Sequence, residues 1–467
     1  MNDKASLAGA QTRELAEFAS SLSYADIPSD TIEHAKLSVL DTLGCSLFGS
    51  TLPWLEVLRG TVLREGATPL ATLLGSSERV SMTQAALVNA TAAHSFEFDD
   101  IHMGGMFHPG ALTLSASLAV GEQRHISGAT LLTAIVAGDE VGARVGKSVG
   151  IAHFSAGFHP QGTVGVFAAA ASAGRALSLD ADALQHALGI AGSRSSGLMA
   201  AQEGSMVKRL HSGFACESGV RATLLASEGF TGIMNVLEAD FGGFASAMGG
   251  GNVQLDELTS GLLTRWETND IGFKPYASCA AAQSSIEVAK HLRDELTRTN
   301  SVPVAVTVHS STHSMLHCGW EYAPNGVTAA QMSIPYGVAC MLLYGEVSAK
   351  QFSDQAIANP AAVDLAKRVM VVGDETIDAL GPTLRYTVRI EIATSDGRIL
   401  NGAASDRPGG PTQPMTTEEV QRKFRSLVTP LLGRESTERL EETVDSLEKI
   451  GDVSTVISQT RLETNPI

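Results

Sequence analysis

Between His94 and Gly110 the chain crowds together three histidines and three carboxylates: His94, Glu97, Asp99, Asp100, His102 and His108. Imidazoles beside carboxylates are the raw material of general acids and bases, because a neighbouring carboxylate orients the ring and shifts its pKa. Apolar runs flank the stretch on both sides. Burying so many titratable groups without a purpose is costly. The plain alternative is a solvated loop between two helices.

A second stretch, Phe158-His159-Pro160-Gln161-Gly162, echoes Phe107-His108-Pro109-Gly110. In each, a His precedes a Pro, and an alanine-rich apolar run follows. Proline is favoured at the first helical position, which places each His at or near a cap. A helix N-terminus attracts anions and favours a neutral imidazole. Two such histidines suit a substrate that carries carboxylates and a removable proton. Either one alone reads as a cap and no more.

Lys208, with Arg209 beside it, falls in the first turns of a helix opened by Gly204. A cation belongs at the other end of a helix. Lys208 therefore reads either as a solvent-facing side chain or as a carboxylate clamp or proton-transfer group with a depressed pKa. Lys274-Pro-Tyr276 offers the same choice. Tyr336, in Ser333-Ile-Pro-Tyr336, is either core or a phenol aimed into a cleft.

Cofactor motifs are missing. There is no G-x-G-x-x-G after a strand, no Walker lysine loop, no H-E-x-x-H and no G-x-S-x-G, so no cofactor is expected. A metal site remains open if His102, His108 and Asp99 meet in space, but their loop spacing is no ligand signature.

The elements that must position these residues follow from pattern. The chain has 467 residues, is 44% hydrophobic and only 5% aromatic, and is rich in Ala and Gly, which suits close helix packing. A net charge of −17 without a basic tract excludes nucleic acid and anionic membranes as expected partners. No apolar run reaches membrane-spanning length. Five widely spaced cysteines and an N-terminus, Met-Asn-Asp-Lys-Ala, without a signal pattern point to reduced thiols and the cytoplasm. Helices are expected over 8–49, with a break near Pro28, and from Ser81-Met-Thr-Gln84 into the central stretch. More follow over 109–121, 127–148, 160–177, 180–193 and 208–228. Strands are expected at 302–310, 384–392 and 399–403, the last two joined by an Asp396-Gly397 turn, with helices at 280–297 and 328–343 between. The fold class is therefore mainly α with an α+β second domain. A helical domain, 1–269, is completed by a helical tail, 406–467, and a smaller domain covers 270–405. The Ala- and Gly-rich helices suit a two-fold contact, so a homodimer is expected.

Taken together, His94-Ser-Phe-Glu-Phe-Asp-Asp, His108-Pro-Gly, Phe158-His159-Pro-Gln-Gly-Thr-Val-Gly, Gly204-Ser-Met-Val-Lys208-Arg, Phe241-Gly-Gly, Lys274-Pro-Tyr and Ser333-Ile-Pro-Tyr336 resemble the 2-methylcitrate dehydratase (MmgE/PrpD) family over nearly the whole chain. That family holds dehydratases, cis-aconitate decarboxylases and an iminodisuccinate epimerase. The resemblance implies a large helical domain with a chorismate-mutase-like α+β lid, an active site between them, no cofactor and a dimer. By position it implies a site of Glu97, His108, His159, Lys208, Lys274 and Tyr336. All but Lys274 are expected to be catalytic, and Lys274, with His102, Asp99 and Arg209 as further candidates, to bind a small polycarboxylate.

The chain departs from the family at three places. Glu97 stands for the usual Asp, Ile101 for the usual Thr, and Cys279 for the His of decarboxylases. An epimerase needs only an opposing acid and base plus cations, so these losses favour α-proton exchange on an iminodisuccinate-like substrate. A dehydratase or decarboxylase is the alternative, and a non-catalytic polycarboxylate binder is the alternative of another class.

Overall fold

The computed structural model describes residues 10–462. Residues 8 and 9 of the expected first helix and the Met1–Ala5 segment lie outside the described residues, as do the two ends of the expected first domain. From Gln11 to Ser227 the chain is mainly helical. Pro28 breaks the first pair into Gln11–Ser21 and Ser29–Ser50. Ser81 caps Met82–Ala93 by accepting a hydrogen bond from the Gln84 amide at 3.2 Å. Its reciprocal partner Gln84 completes a capping box. The next helices are Pro109–Arg124, Gly128–Ser155, Ala181–Gly192 and Val207–Ser227. The single helix expected over 160–177 is two, Pro160–Thr163 and Gly165–Ala176.

Small residues let these helices approach closely. A Cβ on Gly213 would lie 2.2 Å from Thr91 Oγ1 and 2.5 Å from the Leu87 carbonyl oxygen. Only glycine permits that crossing of Val207–Ser227 over Met82–Ala93, and the crossing holds Lys208 beside the central stretch.

The α+β part carries a four-stranded sheet in the order Val369–Gly373, Pro303–Ser310, Val388–Thr394, Ile399–Ala404. The first pair is parallel and the others antiparallel. Asp396 and Gly397, the latter at φ +86°, make the expected turn. The strand expected from Leu384 begins only at Val388, because Pro382–Leu384 forms a helical turn instead. Ala280–Thr299 and Ile334–Tyr344 pack on each other beside the sheet. The helix expected over 328–343 is interrupted at Met332–Ser333 and starts again with Ser333 as cap.

The tail helix Thr417–Leu432 lies against Ser29–Ser50. Its buried Lys423 pairs with Asp41 at 2.7 Å and donates to the Phe98 carbonyl, so the tail braces the central stretch from behind. Among the described residues no helix is long and apolar enough to cross a membrane.

Candidate active site

The central stretch is not a solvated loop. His94, Ser95, Glu97, Asp99, Asp100 and His102 are all buried. Their placement starts at Ile101–His102, which pairs antiparallel with Ile271–Gly272. That short ribbon sets Lys274 beside Glu97 and Asp99, although 175 residues separate it from Asp99 in the chain. Glu97 itself sits at φ +51°, a left-handed conformation uncommon outside glycine and often found at functional sites.

Two carboxylates and three cations form one buried network. Lys208 donates to Glu97, and Arg209 meets the same oxygen at 2.5 Å. Lys274 reaches Asp99 at 3.3 Å and Glu97 at 3.5 Å. Burial alone would raise both acids, but the cations outweigh it. Lys208, Lys274 and Arg209 hold Glu97 well below the usual carboxylate range. His108, Lys274 and His94 do the same for Asp99. Burial lowers Lys208, with Glu97 opposing. Lys274 is raised, because Asp99 and Glu97 overcome its burial.

His108 and His159 are the N-caps of Pro109–Arg124 and Pro160–Thr163, with Pro at the first helical position in both. Gln161 ties the two together. Its side-chain oxygen accepts from the His108 amide at 2.7 Å, and its amide donates to the His108 carbonyl at 3.3 Å and to Ser212 at 2.9 Å. His108 Nδ1 lies 2.6 Å from the Asp100 carbonyl and 3.2 Å from Asp99 Oδ2. This orients the ring and leaves Nε2 for a ligand. His159 Nδ1 lies 2.8 Å from His211 Nδ1. Its imidazole is held well below the usual range, chiefly by burial and then by Lys208 and His94. Desolvation, more than the helix end, keeps it neutral.

These side chains open on one shared cavity. Glu97, His108, His159, Lys208 and Lys274 line it, together with Ile101, Cys279, His313, His317 and Arg385. Four expected site residues are not on its wall. Tyr336 is fully buried, stacked on Tyr322 at 4.6 Å, and its hydroxyl donates to the Gln351 carbonyl. It belongs to the apolar face of its helix. Arg209 and Asp99 stand behind Glu97 and His108 as supports. His102 turns away to face Glu267 at 3.3 Å.

The metal grouping of His102, His108 and Asp99 is also not formed. His94 replaces His102 beside Asp99 and His108, while His102 groups with Glu267 and Asp270. His313 and His317 went unread in the sequence. Their i, i+4 spacing puts both on one face of Thr312–Cys318, a signal that was there to use.

Asp100, behind the site, accepts from Ser38 Oγ at 2.8 Å and the Gly110 amide at 3.0 Å. Burial, reinforced by Asp41 and Asp99, pushes its carboxyl up to about 8. The folded protein thus binds a proton that the unfolded chain, with Asp near ~3.9, releases earlier. Stability from this group is complete in acid and falls as pH rises from about 4 to about 8. Asp100→Asn removes the titration. Thermal melts across that window should show the parent losing stability relative to the variant as pH rises.

The N-terminal domain of MmgE/PrpD proteins matches residues 13–256, and their C-terminal domain matches residues 276–449. The chain belongs to the MmgE/PrpD family. A cis-aconitate decarboxylase of Aspergillus terreus is 32% identical over 466 residues, covering 96% of this chain and 95% of that protein. The human cis-aconitate decarboxylase is 26% identical over 441 residues, 91% of this chain and 89% of that protein. The mouse protein of the same name is 28% identical over 457 residues, 93% and 89%. This MmgE/PrpD chain thus aligns over at least 91% of its length with proteins named cis-aconitate decarboxylase, and none of these three is named an epimerase.

Proposed function

We propose that this chain is a lyase that decarboxylates a small unsaturated polycarboxylate of the cis-aconitate class. The observation that supports it most is one cavity in which His108, oriented by Asp99, accompanies two buried amines, Lys208 and Lys274. In such a substrate one carboxylate is carried on a methylene next to the double bond. The bond to that carboxylate breaks and carbon dioxide leaves. The freed electron pair forms a new double bond, and the old one takes a proton at its far carbon. One carbon dioxide is lost and one proton gained. The two lysines hold the remaining carboxylates and stabilise the charge that builds between them. His108 supplies the proton.

The epimerase expected from Glu97, Ile101 and Cys279 has no support among the relatives, and Tyr336, half of one opposing pair, lies off the cavity. His108 and His159 remain as an opposing pair, so the reactions must be separated by experiment. Proton NMR in heavy water with cis-aconitate, 2-methylcitrate and iminodisuccinate stereoisomers does this. The expected result is carbon dioxide loss from cis-aconitate with one deuterium fixed in the product. Deuterium exchange and stereoisomer interconversion in iminodisuccinate, with cis-aconitate untouched, would overturn the lyase. Binding without any reaction would mark a non-catalytic polycarboxylate binder.

The cavity draws Glu97, His108, His159 and Lys208 from the segment before 270, and Lys274, Cys279, His313, His317 and Arg385 from the segment after it. On this basis we assign 270–405 as a lid over a body formed by 1–269 and 406–467. The five unpaired buried thiols suit the cytoplasm.

The body also supports a homodimer. Val207, Phe214 and Leu225 are exposed on one face of Val207–Ser227, with Met206 and Leu198 exposed nearby in the chain. Light scattering at micromolar concentration should show a dimer, and Phe214→Asp should shift it to monomer. A monomeric parent would remove this reading.

A further inference from the structure

Cys279 is the N-cap of Ala280–Thr299 and lines the cavity. His317 and Cys318 end the short helix Thr312–Cys318, which packs on that helix, and His317 also lines the cavity. One donor atom from each of the three lies within 4.8 Å of the other two. Neither cysteine is in a disulfide. The Nε2 atom of His317 is enclosed and has no hydrogen-bond partner. A buried polar atom left unpaired costs about 1–3 kcal/mol, so a native structure that keeps one calls for an occupant. The other three cysteines, Cys45, Cys216 and Cys340, are buried as well, but among the described residues none has such ligating neighbours. They read as small core side chains.

We propose that Cys279, His317 and Cys318 form a binding site for a soft divalent cation of the zinc class, with its fourth coordination position open to the cavity. Two thiolates and an imidazole are a donor set that selects such ions over magnesium or calcium. Three protein ligands with one open position is the pattern of accessible zinc sites. Tetrahedral bonds of about 2.0–2.3 Å need no donor spacing beyond the 4.8 Å that bounds these atoms.

Charge favours the assembly despite Lys208 and Lys274 on the same cavity wall. On binding, both thiols release their protons to solvent. The two thiolates then cancel the charge of the ion, and the filled site adds no net charge beside the lysines. Two donors are part of the way there. Burial, His313 and Lys208 push the His317 imidazole down to about 3, so it is neutral. The hydrogen bond with Cys318 lowers the Cys279 thiol, against its burial. Burial raises the Cys318 thiol well above the usual range, so its proton is the harder of the two to displace. Affinity therefore rises with pH.

The test uses the full chain, reduced with a phosphine and freed of metal. Zn²⁺ is titrated by calorimetry below and above neutrality, and Co²⁺ by absorption. The expected result is one ion per chain, bound more tightly above neutrality, with a thiolate-to-cobalt charge-transfer band in the near ultraviolet. Cys318→Ser and His317→Ala should lose the binding, while Cys216→Ser keeps it. The proposal is overturned by the absence of the charge-transfer band in the parent, a result that does not depend on any variant folding. It is equally overturned by unchanged affinity in Cys318→Ser. Neither readout depends on which reaction the cavity runs.

Discussion

His108→Asn is expected to fold like the parent and to turn over its substrate more slowly by about 10²–10⁴-fold, the usual contribution of a positioned acid–base group. The fold should survive because the side chain does no capping of its own. The backbone amide of His108 is satisfied by Gln161, and the side chain makes no cap hydrogen bond. An asparagine amide can still donate to the Asp100 carbonyl that now meets Nδ1 at 2.6 Å. What disappears is the second ring nitrogen, the one not engaged by Asp99 or Asp100. The loss should therefore fall on kcat with KM little changed, because in the proposed reaction Lys208 and Lys274 still bind the carboxylates. Steady-state kinetics with cis-aconitate separates the two. Unchanged kcat would remove His108 from the chemistry.

Much of this was readable locally. The His-Pro caps announce themselves because proline at the first helical position needs no partner elsewhere in the chain. The helices around the site were legible from Ala-rich periodicity and from caps such as Ser81. The antiparallel strands Pro303–Ser310 and Val388–Thr394 alternate as half-buried strands do. Val369–Gly373 was not read, since a short apolar run has no period of its own and its parallel partner lies some sixty residues earlier.

The site divides the same way. Lys208 and Lys274 could be singled out, but not which carboxylate each would meet across 111 and 175 residues. Tyr336 was misread because its sequence setting resembles the other caps, while its true neighbours, Tyr322 and Phe352, are a matter of tertiary packing. Helix ends were expected to keep the histidines neutral. For His159 burial leads, and burial is a property that only the assembled fold possesses.

The largest effect on stability should come from Glu97→Gln. Glu97 is 2% exposed and accepts from Lys208 and Arg209, with Lys274 at 3.5 Å. Neutralising it leaves three buried cations with Asp99 as their remaining carboxylate in direct contact. Removing one partner of a buried ion network typically costs about 3–5 kcal/mol, because the remaining charge has lost both water and counter-ion. Lys208 should respond first. Burial already holds it below the usual range and Glu97 is its main support, so the variant drives its proton off more readily. The sign with pH follows from Glu97 itself. Its folded pKa lies well below its ordinary value, so its contribution is complete above that ordinary value, about 4.3, and is lost as pH falls. The gap between parent and variant in urea unfolding should be widest near neutrality and narrow in acid. A polycarboxylate offers the missing negative charge from the cavity side. Adding cis-aconitate should therefore raise the melting temperature of Glu97→Gln by more than it raises that of the parent. Equal shifts would mean that the substrate's carboxylates do not reach the cations that Glu97 now holds.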